Sequence, residues 1–162
     1  MTMRPKAFSP GRRMASAGFT LLELMIVVVV IGILSMVAYP SYVEQVARGH
    51  RTDLKAQMVA AQQWLERHYS ANYFYGTSAA ADTANTLFDA QPFANSPPQG
   101  RVQYTLSVTV GGTGQTYTLT ATRAPGGAMV SDPCGDLSVT NTGVRSVSDD
   151  ATRTDALNTC WN

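Results

Sequence analysis

The chain has 162 residues, room for one small domain and one long helix but not for two ordinary domains. Its net charge of +1 hides a split: Arg4, Lys6, Arg12 and Arg13 precede Gly18 in a stretch without an acid, leaving 8 Lys/Arg against 11 Asp/Glu from Phe19 onward. A basic N-terminus is a targeting or topology signal, and the mildly acidic remainder argues against strong non-specific nucleic-acid binding, which depends on neutralising phosphates.

Residues 1–18 mix Arg, Lys, Pro, Ser and Gly with no helical or strand period, and read as a cytoplasmic leader. Residues 19–39 read FTLLELMIVVVVIGILSMVAY, where the clearly polar side chains are Thr20, Glu23 and Ser35, with Tyr39 at the end. A helix of that length spans roughly 30 Å, the thickness of a bilayer's hydrocarbon core. The basic residues before it place the N-terminus inside and the C-terminus outside. A cleaved secretory signal has a shorter apolar region and a small-x-small site at its far end; here that end is Met36-Val37-Ala38-Tyr39-Pro40. A plain signal anchor stays open.

Beyond Pro40, Val43, Ala47, His50, Leu54, Met58, Ala61, Leu65 and Tyr69 recur at steps of three or four, with Arg51 among the polar residues between them. This is an amphipathic helix over 41–71, and Pro40 is either a kink within one helix or a boundary between two. The apolar span therefore runs into an amphipathic helix with no linker. Residues 72–100 are loop-like, with a short helical turn and Pro97-Pro98 at the end. Val102, Tyr104, Leu106, Val108 and Val110 alternate with polar residues as a strand. Gly111-Gly112-Thr113-Gly114 turns it into a second strand carrying Tyr117, Leu119 and Ala121. A third strand is expected over 137–140, and a fourth over 144–147 after Asn141-Thr142-Gly143. The fold class is α+β: a hydrophobic-then-amphipathic helix whose apolar face covers a small antiparallel sheet.

Glu23 is the sharpest anomaly, an acid inside an apolar span, where such groups are costly and usually functional. Its place near the helix start, where the dipole favours an acid, is the structural alternative. His50 and His68 lie roughly 27 Å apart along one helix and cannot share an ion. The glycine run lacks the following Lys-Ser/Thr of a phosphate loop, and Asp149, Asp150 and Asp155 read as a solvated acidic loop rather than a calcium site. No catalytic set, metal site or cofactor is implied. Cys134 and Cys160, both beyond the span in a chain destined for export, suggest one disulfide. Trp161 is expected to pack over it, its indole N–H needing a partner if buried.

The junction Gly18-Phe19-Thr20-Leu21-Leu22-Glu23 resembles the prepilin peptidase motif of type IV pilins: a basic leader ending in Gly, then Phe, with Glu fifth in the mature chain. Gly32 and Pro40 fall where pilins often carry helix-loosening residues. Cys134-Gly135-Asp136-Leu137, Gly143 and the final Cys160-Trp161 resemble the PilE-type minor pilins and the related DNA-uptake pilins. The resemblance implies the pilin fold and cleavage after Gly18. It implies N-methylation of Phe19 and pairing of Glu23 with the Phe19 amine of a neighbouring subunit. It implies a C-terminal loop bounded by Cys134 and Cys160 and displayed on the filament. The partners implied are other pilin subunits, the prepilin peptidase and the inner membrane, with the pilus as final location.

A structural, minor subunit of a type IV pilus is the leading expectation. A type II secretion pseudopilin shares the N-terminal logic. A DNA-uptake pilin is the reading from another class, for which Arg101, Arg123, Arg145 and Arg153 would have to form a local basic patch.

Overall fold

The computed structural model describes residues 19–78, 86–148 and 156–161. Contacts divide the chain into two compact units, Met1–Pro40 and Ser41–Asn162. The leader expected at 1–18, Gly18 included, lies outside the described residues.

Helix α1 is assigned from Leu21 to Asn72, with Pro40 inside it. In the first unit its start is set by Thr20, whose Oγ1 accepts the backbone N–H of Glu23 at 3.2 Å. That is the N-cap role, and Thr-x-x-Glu is the spacing of a capping box. The following Val27-Val28-Val29-Val30-Ile31 run is β-branched and a modest helix former in water. In an apolar medium helix is nevertheless favoured, because every backbone N–H and C=O must be satisfied within the segment.

In the second unit the buried side of α1 is Arg51, Leu54, Met58, Ala61 and Leu65. The apolar spacing put His50 on that stripe and Arg51 off it; the structure buries Arg51 and leaves His50 half-exposed and Val43 exposed. The helix stops where Tyr73 turns left-handed (φ 62°) and donates its N–H to the Tyr69 carbonyl at 2.7 Å.

Five antiparallel strands follow: β1 (Asn95–Ser96), β2 (Tyr104–Gly111), β3 (Thr116–Arg123), β4 (Leu137–Thr140) and β5 (Arg145–Val147), in spatial order β1-β2-β3-β4-β5. The β2–β3 pair runs from Tyr104↔Arg123 to Gly111↔Thr116. Gly112 and Gly114 take the positive φ that the hairpin turn needs. Tyr104, Leu106, Val108 and Val110 point inward with Tyr117, Leu119 and Ala121, as their alternation predicts. Leu137 and Val139 of β4 complete this face, and it forms one core with the buried stripe of α1.

Three elements beyond the expected helical turn escape the sequence pattern. The stretch expected as loop with a helical turn holds α2 (Thr86–Asp89), a 3-10 turn (Pro92–Ala94) and β1. Phe88 and Phe93 from it meet Trp64 of α1 at ring-centroid distances of 5.9 and 6.1 Å. The C-terminal tail forms α3 (Ala156–Trp161). Cys160 of α3 is bonded to Cys134 across a sequence separation of 26, with both residues buried. Trp161 next to it donates its indole N–H to the Ser146 carbonyl at 3.3 Å.

A bridge closing a loop of that length stabilises by about 3–4 kcal/mol on the chain-entropy argument. Cys134→Ser should therefore lower the unfolding free energy of the head by a few kcal/mol in denaturant titration; an unchanged midpoint would contradict the bridge's role.

Burial raises the phenols of Tyr75, Tyr104 and Tyr117 above their usual range, Tyr75 to about 12 with the Glu66 carboxylate as the next cause. The native state holds these protons more tightly than the unfolded chain, whose tyrosines titrate near pH ~10. Their stability contribution is full below about pH 10 and is lost as pH rises toward 12. The denaturation midpoint should fall across that interval, and a flat or rising midpoint would refute the assignment.

Candidate functional site

Phe19 and Glu23 begin α1's apolar half. The large apolar side chains from Phe19 to Tyr39 are exposed, Phe19 at 79%. By length and composition this helix suffices to cross a membrane. Glu23 is the one acidic residue in the stretch and stands at the third helical position, where its backbone N–H is already held by Thr20. A Cβ added at Gly32 would meet nothing within 4 Å, so no packing in this chain demands glycine there.

The head's most distinctive chemistry is a buried ion pair absent from the sequence reading. Arg51 is 3% exposed and Asp132 5%. The Arg51 guanidinium donates from Nε to Asp132 Oδ2 at 3.0 Å and from Nη2 to Oδ1, a two-bonded fork. Tyr104 OH donates to the same Oδ2 at 3.0 Å, and Glu44 takes Arg51 Nη1 at 3.3 Å. The hydrogen bond to Asp132 raises the Arg51 pKa against the opposing effect of burial. The network ties α1 to β2 and to the irregular segment between β3 and β4. Gln103 fastens that segment a second time: its Oε1 accepts Ala128 N–H at 2.7 Å and its carbonyl accepts Ala124 N–H at 2.8 Å. A Cβ at Gly127 would stand 3.0 Å from Gln103 Oε1 and 3.1 Å from the Ala124 carbonyl oxygen, so a side chain here requires these neighbours to give by a few tenths of an ångström. The sequence signal was slight. Arg51 sits three residues before Leu54 on the buried side, but its partner is 81 residues away.

The expected basic patch is divided. Arg101 donates to the Gly126 carbonyl and Arg123 pairs with Asp136 at 3.1 Å. Arg145 lies two strands and four residues from Arg123, roughly 16 Å by ladder spacing. Its guanidinium rests 5.2 Å from the Trp161 ring centroid. Arg153, with Asp149, Asp150 and Asp155, lies outside the described residues. His68 stacks on Trp64 at 5.3 Å and contacts the Gly76 carbonyl through Nε2 at 3.0 Å. Among the described residues no three His, Cys, Asp or Glu converge as metal ligands.

Removing one member of a buried ion pair strands the other, typically at a cost of about 3–5 kcal/mol. Asp132→Ala should destabilise the head by that order, and Arg51→Met with Asp132→Leu should recover most of it. If the double variant is as unstable as the sum of the single ones, the pair is not the source of the loss.

Comparison with known proteins follows the same division of the chain. The family described as type IV minor pilin ComP, DNA uptake sequence receptor, matches residues 40–138, and the prokaryotic N-terminal methylation motif matches residues 13–39. The type IV major pilin protein PilA of Myxococcus xanthus (strain DK1622) is 43% identical over 58 residues, 36% of this chain and 24% of that protein. The type IV major alpha-pilin of Moraxella bovis is 40% identical over 48 residues, 30% of each chain. The chain thus spans about a quarter to a third of the length of these curated relatives. A solved type IV pilin from Shewanella oneidensis is 33% identical, covering 70% of this chain and 96% of that one, with a TM-score of 0.45. The family is one of structural subunits. With the methylation motif on its apolar helix and the minor-pilin match from α1's second half through strands β1 to β3, the chain belongs to the type IV pilins, in the ComP minor-pilin family.

Proposed function

We propose that this chain is a minor structural subunit of a type IV pilus. The observation that carries the reading is α1's apolar half: among the described residues its large apolar side chains are exposed, and it has one carboxylate, Glu23, at its start. A surface of that kind needs lipid first and other helices afterwards. The precursor sits in the inner membrane with its N-terminus in the cytoplasm. Prepilin peptidase cuts between Gly18 and Phe19, and Phe19 is N-methylated. The new ammonium and a neighbour's Glu23 neutralise one another as the helices leave the membrane for the filament core, where either charge alone is expensive. Aliphatic surfaces specify axial register poorly, so this pair selects one. Gly32 and Pro40 weaken the helix between them and let it extend under load.

A second role, as a DNA-binding subunit at the pilus surface, is favoured by the match of residues 40–138 to a family described as a DNA uptake sequence receptor.

Glu23→Leu separates a filament subunit from a lone anchor. In an anchor both charges reach interfacial water, and replacing the acid leaves insertion intact or improves it. In a filament the variant should insert and be cleaved, with N-methylated Phe19 in wild type by mass spectrometry, but be depleted from sheared filaments. Equal partitioning of variant and wild type into filaments refutes the pairing; a mature N-terminus at Tyr39 or later refutes the reading as a whole.

A further inference from the structure

Helix α1 ends on a residue that backbone preference alone would not select. Tyr73 holds φ 62°, whereas the six other positive-φ positions among the described residues are all glycine. A left-handed backbone is costly for any residue with a Cβ, and Gly is the usual occupant just past a helix. Three hydrogen bonds hold the conformation in place. The Tyr73 N–H donates to the Tyr69 carbonyl at 2.7 Å, Gln115 Nε2 donates to the Tyr73 carbonyl at 2.8 Å, and the Tyr75 N–H donates to the Gly114 carbonyl at 2.9 Å. None of them uses the Tyr73 side chain, so glycine would make all three without the strain. The ring itself is 77% exposed and has no hydrogen bond or ring contact among the described residues. A strained backbone that carries an idle, outward ring points to a use for that ring outside the chain.

The surroundings of the ring narrow the partner. Residues 69–78 read YSANYFYGTS and residues 111–116 read GGTGQT, with no charged side chain in either. The bonds from Gln115 and Gly114 join the two segments at this end of the head. Their composition combines rigid aromatic area with adaptable neutral hydrogen bonding. A charged partner finds no counter-charge in it. A stable protein partner needs roughly 800 Å² per side with an apolar centre, and Tyr73 is the one exposed large apolar side chain in the two segments. We infer that this end of the head binds a neutral saccharide, with the Tyr73 ring stacked on one face of a sugar. The face of a phenol ring is negative and the C–H bonds on a pyranose face are weakly positive, so the two attract while both shed water. Hydroxyls at the sugar's edge require neutral donors and acceptors. Asn72 turns its amide nitrogen back to the His68 carbonyl at 2.9 Å and keeps its amide oxygen unbonded. Gln115, which accepts the Tyr69 hydroxyl at 2.6 Å, retains one amide N–H beyond its bond to Tyr73. The same three bonds that impose the strain fix the backbone under the ring, so less freedom is lost when a ligand arrives.

The test uses the full mature chain in micelles of a zwitterionic detergent, which has no sugar headgroup to compete. The probes are cellotetraose and chitotetraose, neutral chains whose equatorial hydroxyls leave both ring faces to C–H. Saturation-transfer NMR should show one or both bound through their C–H protons, with no loss on adding salt. Tyr73→Phe keeps the ring and should retain the binding, while Tyr73→Gly should weaken it about tenfold. The denaturation midpoint of the head should hold or rise in Tyr73→Gly, because the left-handed strain is gone. A ring with a structural role would lower that midpoint instead, and such a fall overturns the inference. So does binding of neither saccharide by wild type, or equal binding by wild type and Tyr73→Gly. Self-association in sedimentation that requires the ring, without saccharide binding, assigns Tyr73 to a second copy of the chain and likewise overturns it.

Discussion

The inner face of the sheet has to be covered, and the head has one long helix to cover it. Leu54, Met58, Ala61 and Leu65 of α1 are placed against Tyr104, Leu106, Leu119, Leu137 and Val139 in a single core. Fully burying a side chain of the Leu or Met class contributes roughly 1.5–3 kcal/mol, so these few contacts weigh heavily in a small domain whose net stability is a small difference of large terms. The rest of the head follows from that packing. The sheet's register is fixed because a one-residue slip would turn Tyr104, Leu106 and Val108 toward water. The aromatic segment with Phe88 and Phe93 closes the core beside Trp64, and the Cys134–Cys160 bridge draws α3 onto its far end.

Polar chemistry inside this core is concentrated where the chain is irregular. The segment between β3 and β4 has no ladder hydrogen bonds of its own to hold it. Asp132 anchors it to Arg51 and Tyr104 through bonds of 3.0 Å, and Gln103 anchors it again through Ala124 and Ala128. A buried ion pair adds little net stability compared with apolar residues of the same volume. Its value here is geometric: two carboxylate oxygens and a forked guanidinium define one position for a loop that hydrophobic contacts alone would leave loosely placed.

The two halves of α1 answer to different solvents. Beyond Pro40 one face is buried and the others are polar, which is the pattern of a helix packed on a protein core. Before it the helix is apolar all round and exposed all round, which is stable only in lipid or among other helices. Glu23 is the exception, the one acidic residue in this half. In the assembly proposed above, that single carboxylate on an aliphatic rod is what lets neighbouring rods agree on a register.

The local pattern alone was enough for the apolar span with Glu23 near its start, the alternating strands β2 and β3, β4, and the single antiparallel sheet, because side-chain periodicity is a property of neighbours in sequence. The resemblance to the pilins was equally legible, since the N-terminal methylation motif matched over residues 13–39 is a linear one. Four things were decided only in three dimensions. Arg51 replaced His50 on the buried stripe because a carboxylate 81 residues away was there to receive it. The two-residue β1 exists only because β2 offers an edge to pair with. Helix α3, too short to be stable alone, is held by Cys160 and Trp161. The basic residues sorted themselves by partner: Arg101 was hydrogen-bonded to the Gly126 carbonyl and Arg123 was paired with Asp136, while Arg145 was laid on Trp161 beside Lys55. In each case the deciding group is distant in sequence and close in space, and a charge or a short segment has no preferred structure until that partner is in place.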